Sequence, residues 1–403
     1  MLVGLDRLPH LPRLLARLRA GPVGLLAHPA SVDRSFAHAA DVLAAEGVRC
    51  GVFFGPEHGY GGEAQYMVGV ADARDERTGA PIVSLYGSDF ASLSPRPEHL
   101  AGLAALVVDL ADVGSRYYTY VWTALLALRA AARAGVHVVL LDRPNPLGAD
   151  PARGEAPPQR PGFQSFVGLE PLPVRHGLSP AAIVARCAVA DGLPLGEAGA
   201  LSTVEVSGAP LEGAPAWDRP FVPPSPNMPT ADTALVYPGG CLLEGTNLSE
   251  GRGLTRPFEF VGAPWLDGRR LAAALAGSGL PGFVARPLTF RPAFDKHAGA
   301  VCGGVQIHVT DRATFRPYAT YLALIGYAAR HHPEHFAFRT DAYEFVDSIP
   351  AFDLLTGGDE ARLGMLAGDD PAELARRLSA PPEGWAEQMR AAQAEVARAA
   401  CWG

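Results

Sequence analysis

In the first half of the chain, short apolar blocks alternate with longer stretches in which apolar residues recur at helical spacing. The blocks at 23–27, 48–54, 82–86, 105–110 and 136–141 are largely apolar, and 201–206 alternates less cleanly, which together predict strands of a covered sheet. Helical spacing runs over 36–45, 97–103 and 117–134, stopped by Gly135, and again to 190 behind the Ser179-Pro180 start signal. Strands separated by helices predict an α/β fold with a parallel sheet covered on both sides. The segment RPFVPPSPNMPT, 219–230, reads as a rigid linker. Beyond it the pattern is mixed: 234–237 and a glycine-rich polar loop, strand-like runs near 289 and at 305–309, helices near 269–276 and 318–329, and two or three closing helices between 360 and 400. The expectation is two domains, 1–230 carrying the parallel sheet and 231–403 forming a smaller α+β unit.

Composition narrows the possible partners. The net charge is -8 and no cluster of Lys and Arg is present, which speaks against nucleic acid. Five dispersed cysteines with no CxxC spacing suit reduced thiols. The first residues, MLVGLDRLPHLPRLLARLRAGP, are interrupted by Arg, Asp and Pro, so they read as a short amphipathic helix and not as a leader, and the expected location is the cytoplasm. No apolar run reaches the ~18 residues of a membrane span. The glycines at 277–282 follow a helical pattern instead of a strand, and Pro333 breaks the spacing of His331, His332 and His335, so neither a dinucleotide cofactor nor a metal is expected.

Candidate chemistry collects where the predicted strands end. Glu57 and His58 follow the strand at 48–54; Asp109, Asp112 and Arg116 follow 105–110; Arg143 and Asn145 follow 136–141; and His176 precedes a helix. Glu244, Asn247, Glu250 and Arg252 stand in the polar loop after the linker. A parallel sheet brings strand ends that are distant in sequence onto one rim. Several carboxylates beside tyrosines (Tyr117, Tyr118, Tyr120) and amides (Asn145, Asn227, Asn247) suit acid/base cleavage of a hydroxyl-rich ligand. By themselves these features reach only as far as an α/β enzyme with an acidic crevice.

The segments GPEHGYGG (55–62), DLADVGSRYYTY (109–120), LLDRPNPLG (140–148), PVRHG (173–177), PSPNMPT (224–230), LVYPGGCLLEGTNLSEGRG (235–253) and TRPFEFVGAPW (255–265) resemble, in order, the exo-β-N-acetylmuramidase family called NamZ. The resemblance implies a Rossmann-like N-terminal domain that binds no dinucleotide, a smaller C-terminal domain and a cleft between them. It implies a glycoside hydrolase that removes N-acetylmuramic acid from the non-reducing end of peptidoglycan fragments, with a muropeptide as its partner. Glu57 is the expected proton donor. Glu250, Glu244, Asp112 or Asp109 is expected in the second role, and Arg143, Arg116 or Arg252 on the lactyl carboxylate. Tyr118, His58, Asn145, His176, Asn227 and Asn247 complete the expected site. A rival reading is a muropeptide-binding protein without activity.

Overall fold

The computed structural model describes residues 1–62, 64, 73–207 and 220–402. Seven strands form the larger sheet: β1 (Val23–Ala27), β2 (Cys50–Gly55), β3 (Ala73–Arg74), β4 (Pro81–Ser84), β5 (Ala105–Asp109), β6 (Val138–Leu141) and β7 (Leu201–Val204). Their spatial order is β3-β4-β2-β1-β5-β6-β7, parallel throughout except for the antiparallel edge strand β3. All residues of β1, β5, β6 and β7 are buried, as expected of strands covered on both faces. The chain builds outward from β1 to β4 and then returns to the other side of β1 with β5, so the strand order reverses between β1 and β5. In an open sheet the crevice lies outside the carboxyl ends of the strands at this reversal.

Three strands, β8 (Phe260–Ala263), β9 (Phe283–Phe290) and β10 (Cys302–Val309), form a smaller antiparallel sheet in the order β8-β10-β9. The molecule thus joins a Rossmann-like parallel sheet to a smaller α+β part. The two parts share packing: one apolar cluster runs from Phe54 and Trp122 to Tyr321 and Phe352. The last helix, Trp385–Ala399, returns to the first sheet, where Trp385 Nε1 donates to the His176 carbonyl and Thr203 Oγ1 to the Val396 carbonyl.

Several elements differ from their sequence expectation for local reasons. The N-terminal stretch is three short helical pieces, Gly4–Arg7, Leu8–His10 and Pro12–Arg19, because Pro9 and Pro12 start new turns. The helix expected from 36 begins at Ala39, since Phe36 takes a left-handed φ of 66°. The helix expected from 117 begins at Tyr120, which leaves Tyr117 and Tyr118 in the preceding turn. Residues 234–237 lie inside a helix, Ala231–Gly240. Arg219 and most of the polar loop at 63–78 lie outside the described residues. From 220 onward the proline-rich segment is no free spacer: Ser225, Asn227 and Met228 are buried, and the Pro224 carbonyl accepts from Tyr120 Oη at 2.9 Å. Among the described residues, no helix is long and apolar enough to cross a membrane.

Candidate active site

Strand β2 delivers Glu57. A Cβ on Gly55 would stand 2.2 Å from the Tyr60 nitrogen, so the chain folds back onto the strand end only because Gly55 has no side chain. The turn closes with the Gly59 N–H on the Pro56 carbonyl at 2.9 Å and with left-handed backbone at His58 and Gly59. The His58 ring Nδ1 is 2.8 Å from the Ala64 carbonyl. Glu57 is thereby 8% exposed, and its Oε2 accepts from Thr119 Oγ1 at 2.7 Å. Thr119 follows β5 and immediately precedes the helix Tyr120–Arg133, so this bond ties two strand-end loops together.

Glu57 and His58 line a narrow pocket with a cavity volume of about 50 Å³. Tyr117, Tyr118, Thr119 and Tyr120 form one wall, Ser225, Asn227 and Met228 a second, and Tyr237, Glu244, Arg252 and Phe258 a third. Val167, Tyr343 and Glu344 complete it. Both parts of the molecule therefore contribute. Of the residues expected from sequence, the structure brings Glu57, His58, Tyr118, Asn227, Glu244 and Arg252 to this pocket.

The others do not line this pocket. Asp109 is fully buried in a two-bond pair with Arg143, whose Nη2 also reaches the Val32 carbonyl at 3.0 Å. Asp112 lies 3.9 Å from His176, both out of solvent. Burial pushes Asp112 up to about 7 and His176 down to about 3, with Arg116 lowering the histidine further. The Arg116 guanidinium donates to the carbonyls of Pro157, Leu172 and Leu355 and so joins the two parts. Asn145 holds its own loop, accepting from the Leu147 N–H and donating to the Leu178 carbonyl. Asn247 does the same for the segment around His335 and Ala337.

Glu250 and Asn247 line a neighbouring pocket that shares Glu244 with the first. Burial alone would raise the pKa of Glu250, but Lys296 at 2.8 Å and Arg252 at 2.8 Å overrule it and bring it to about 2. It is a fixed anion that holds Arg252. The other arm of Arg252 donates to Glu244 Oε1 at 2.7 Å, and Tyr343 Oη donates to Glu244 Oε2 at 2.8 Å. Burial raises Glu244. Among the described lining residues Arg252 is the one guanidinium.

Glu344, Tyr343, Tyr237 and Thr119 were not singled out from the sequence. Thr119 stands beside Tyr118 in the segment 109–120. Glu344 carries no such signal, since the stretch DAYEFVD, 341–347, has neither strand nor helix periodicity.

Carboxyl groups, hydroxyls and aromatic rings around one pocket at the carboxyl ends of a parallel sheet suit the chemistry of a glycoside hydrolase. Comparison with known proteins gives the family. Residues 23–232 match the family model Exo-beta-N-acetylmuramidase NamZ, N-terminal, and residues 235–393 match Exo-beta-N-acetylmuramidase NamZ, C-terminal. The chain belongs to the exo-β-N-acetylmuramidase NamZ family. It is 38% identical over 367 residues to the peptidoglycan β-N-acetylmuramidase NamZ of Bacillus subtilis (strain 168), covering 88% of this chain and 81% of that protein. Two crystal structures of DUF1343 family proteins from Bacteroides fragilis NCTC 9343 superpose along its length. One has TM-score 0.79 and 26% identity, covering 98% of each chain. The other has TM-score 0.70 and 24% identity, covering 97% of this chain and 98% of that one, and speaks for the fold alone.

Proposed function

We propose that the pocket cleaves the β-glycosidic bond following a terminal N-acetylmuramic acid in peptidoglycan fragments, with Glu57 supplying one of the two carboxyl groups that cleavage uses. The observation that carries this reading is the convergence of Glu57, from the β2 loop, with Glu244 and Arg252, from the loop after the helix Ala231–Gly240, on one pocket. The tyrosine wall suits the apolar face of a sugar ring, and Asn227 and the hydroxyls suit its acetamido and hydroxyl groups. Arg252 faces the lactyl carboxylate that distinguishes muramic acid from glucosamine, since a guanidinium recognises carboxylate in two-point geometry. Its fork is already oriented by Glu250 and Glu244, which lowers the ordering cost of binding.

Cell-wall recycling in the cytoplasm belongs to the same proposal. All five cysteines are free, three of them buried, as suits a reducing compartment.

The test is turnover of a chromogenic muramide by Glu57→Gln. Because Gln keeps size and polarity, the variant is expected to fold, bind muramic acid and lose roughly 10²–10⁴-fold in kcat/KM. Wild-type turnover by the variant would remove Glu57 from the chemistry.

A further inference from the structure

Glu344 is an acid buried where little stabilises its charge. It is 3% exposed and lines the pocket opposite the strand-end loops. Its hydrogen-bonding neighbour is Tyr86, after β4, whose Oη is 3.3 Å from both carboxyl oxygens. A tyrosine hydroxyl has one proton and satisfies one oxygen at a time. The groups whose charge it feels are Glu57 from the β2 loop, Glu244 from the loop after the helix Ala231–Gly240, and Arg339 from the segment leading into its own turn. Two are carboxyl groups, and Arg339 is stacked over the Tyr343 ring at 5.4 Å.

The backbone that holds it there is itself unusual. Glu344 and Phe345 have φ of 45° and 67°, left-handed values that side-chain-bearing residues rarely adopt, closed by reciprocal bonds between Tyr343 and Val346 at 2.8 and 3.0 Å. Such strain persists where the surroundings over-determine it, and such residues cluster at functional sites. Phe345 anchors the turn from the far side against Tyr86, Phe90 and Phe166. The turn thus spends backbone strain to aim one carboxyl group into the pocket. Glu57 accepts from the Thr119 hydroxyl at 2.7 Å, a closer contact than the 3.3 Å between Glu344 and Tyr86.

We propose that Glu344 is the proton donor to the glycosidic oxygen and Glu57 its ionised partner. The inference rests on the muramidase reading above and moves the donor role away from Glu57, where the sequence placed it. Glu344 gives its proton to the bridging oxygen as the C1–O bond breaks, and the bonding pair stays on that oxygen. The charge developing at C1 is balanced by the Glu57 carboxylate. Water then supplies its hydroxyl to C1, and its remaining proton restores the single proton held by the two carboxyl groups. Burial first, then the charges of Glu57 and Glu244, raise Glu344 well above the ordinary carboxyl range, so it keeps this proton toward neutral pH.

The experiment compares wild type and Glu344→Gln on two substrates, a MurNAc–GlcNAc disaccharide, whose leaving alcohol needs a proton, and a 2,4-dinitrophenyl muramide, whose leaving group does not. The expected loss is roughly 10²–10⁴-fold on the disaccharide and under about tenfold on the aryl muramide. Glu57→Gln is expected to lose on both. Tyr86→Phe keeps the ring and removes the donor that favours ionised Glu344, so the alkaline limb of its kcat/KM profile is expected to move up by roughly 0.5–1 pH unit. That shift tests the assignment even if Glu344→Gln folds poorly. Equal losses on both substrates, or an unmoved limb in Tyr86→Phe, would overturn the proposal while leaving the muramidase reading intact. A wild-type protein inactive on both substrates would overturn that reading and this proposal together.

Discussion

Asp112 stands three residues beyond the end of β5, in a segment shared with Tyr118, yet its carboxyl lies beside His176 and outside the pocket lining. A strand-end carboxylate looks the same in sequence whether it faces a cavity or a neighbouring loop, and only the path of the loop at 173–177 decides. Glu57 was legible because it follows a strand immediately and is surrounded by glycines. Glu344 was not, because the turn that aims it depends on tertiary contacts of Phe345. The Asp112 environment has a consequence for stability. Its folded pKa, raised to about 7 by burial, exceeds the 3.8 of the unfolded chain. Its contribution is therefore fully present below about 3.8 and is lost as pH rises toward about 7. Asparagine mimics the protonated acid and can still accept from the Gly114 N–H, now at 3.1 Å. Asp112→Asn should thus gain stability relative to wild type between pH 4 and 7, by on the order of 1 kcal/mol per pH unit. Urea unfolding of both proteins at several pH values measures this. A difference that stays flat with pH would show that Asp112 is ionised in the fold.

At the scale of elements, apolar runs located β1, β5 and β6, since strands covered on both faces leave no alternation to misread, while β7, Leu-Ser-Thr-Val, is buried although half its residues are polar. The helix Ala231–Gly240 was harder to see, because it contains Pro238 and ends in two glycines, signals that locally oppose a helix. Burial of Thr233 through Gly240 on all sides overrides them. The segment after 220 was misread for a related reason: proline-rich composition suits a spacer and a pocket wall equally well. Loop geometry carries its own prediction. Because a Cβ at position 55 would meet the Tyr60 backbone, Gly55→Ala must displace the turn that holds Glu57. Steady-state kinetics should show kcat/KM reduced by at least about tenfold in protein whose circular dichroism is native, since misplacing a reacting group by about 1 Å costs roughly 10². Unchanged kcat/KM would mean that the β2 turn does not set the geometry of the reaction.

For the whole molecule, the central feature is a pocket neither part can build alone. The parallel sheet supplies Glu57 and the tyrosine wall, and the later chain supplies Glu244, Arg252, Tyr343 and Glu344. Arg116, reaching from the first part to the Leu355 carbonyl, fixes how the two meet. Sequence order conveyed that two parts exist but not which side chains cross between them, because such contacts depend on three-dimensional packing with no periodic trace. Taking one terminal sugar, with a guanidinium for its lactyl group, predicts polarity as well as chemistry. The most direct test is incubation of the wild-type protein with MurNAc–GlcNAc and, separately, GlcNAc–MurNAc, with free sugars identified by chromatography. Free N-acetylmuramic acid should appear from the first disaccharide and no product from the second. Cleavage of the second, or of neither, would contradict the account.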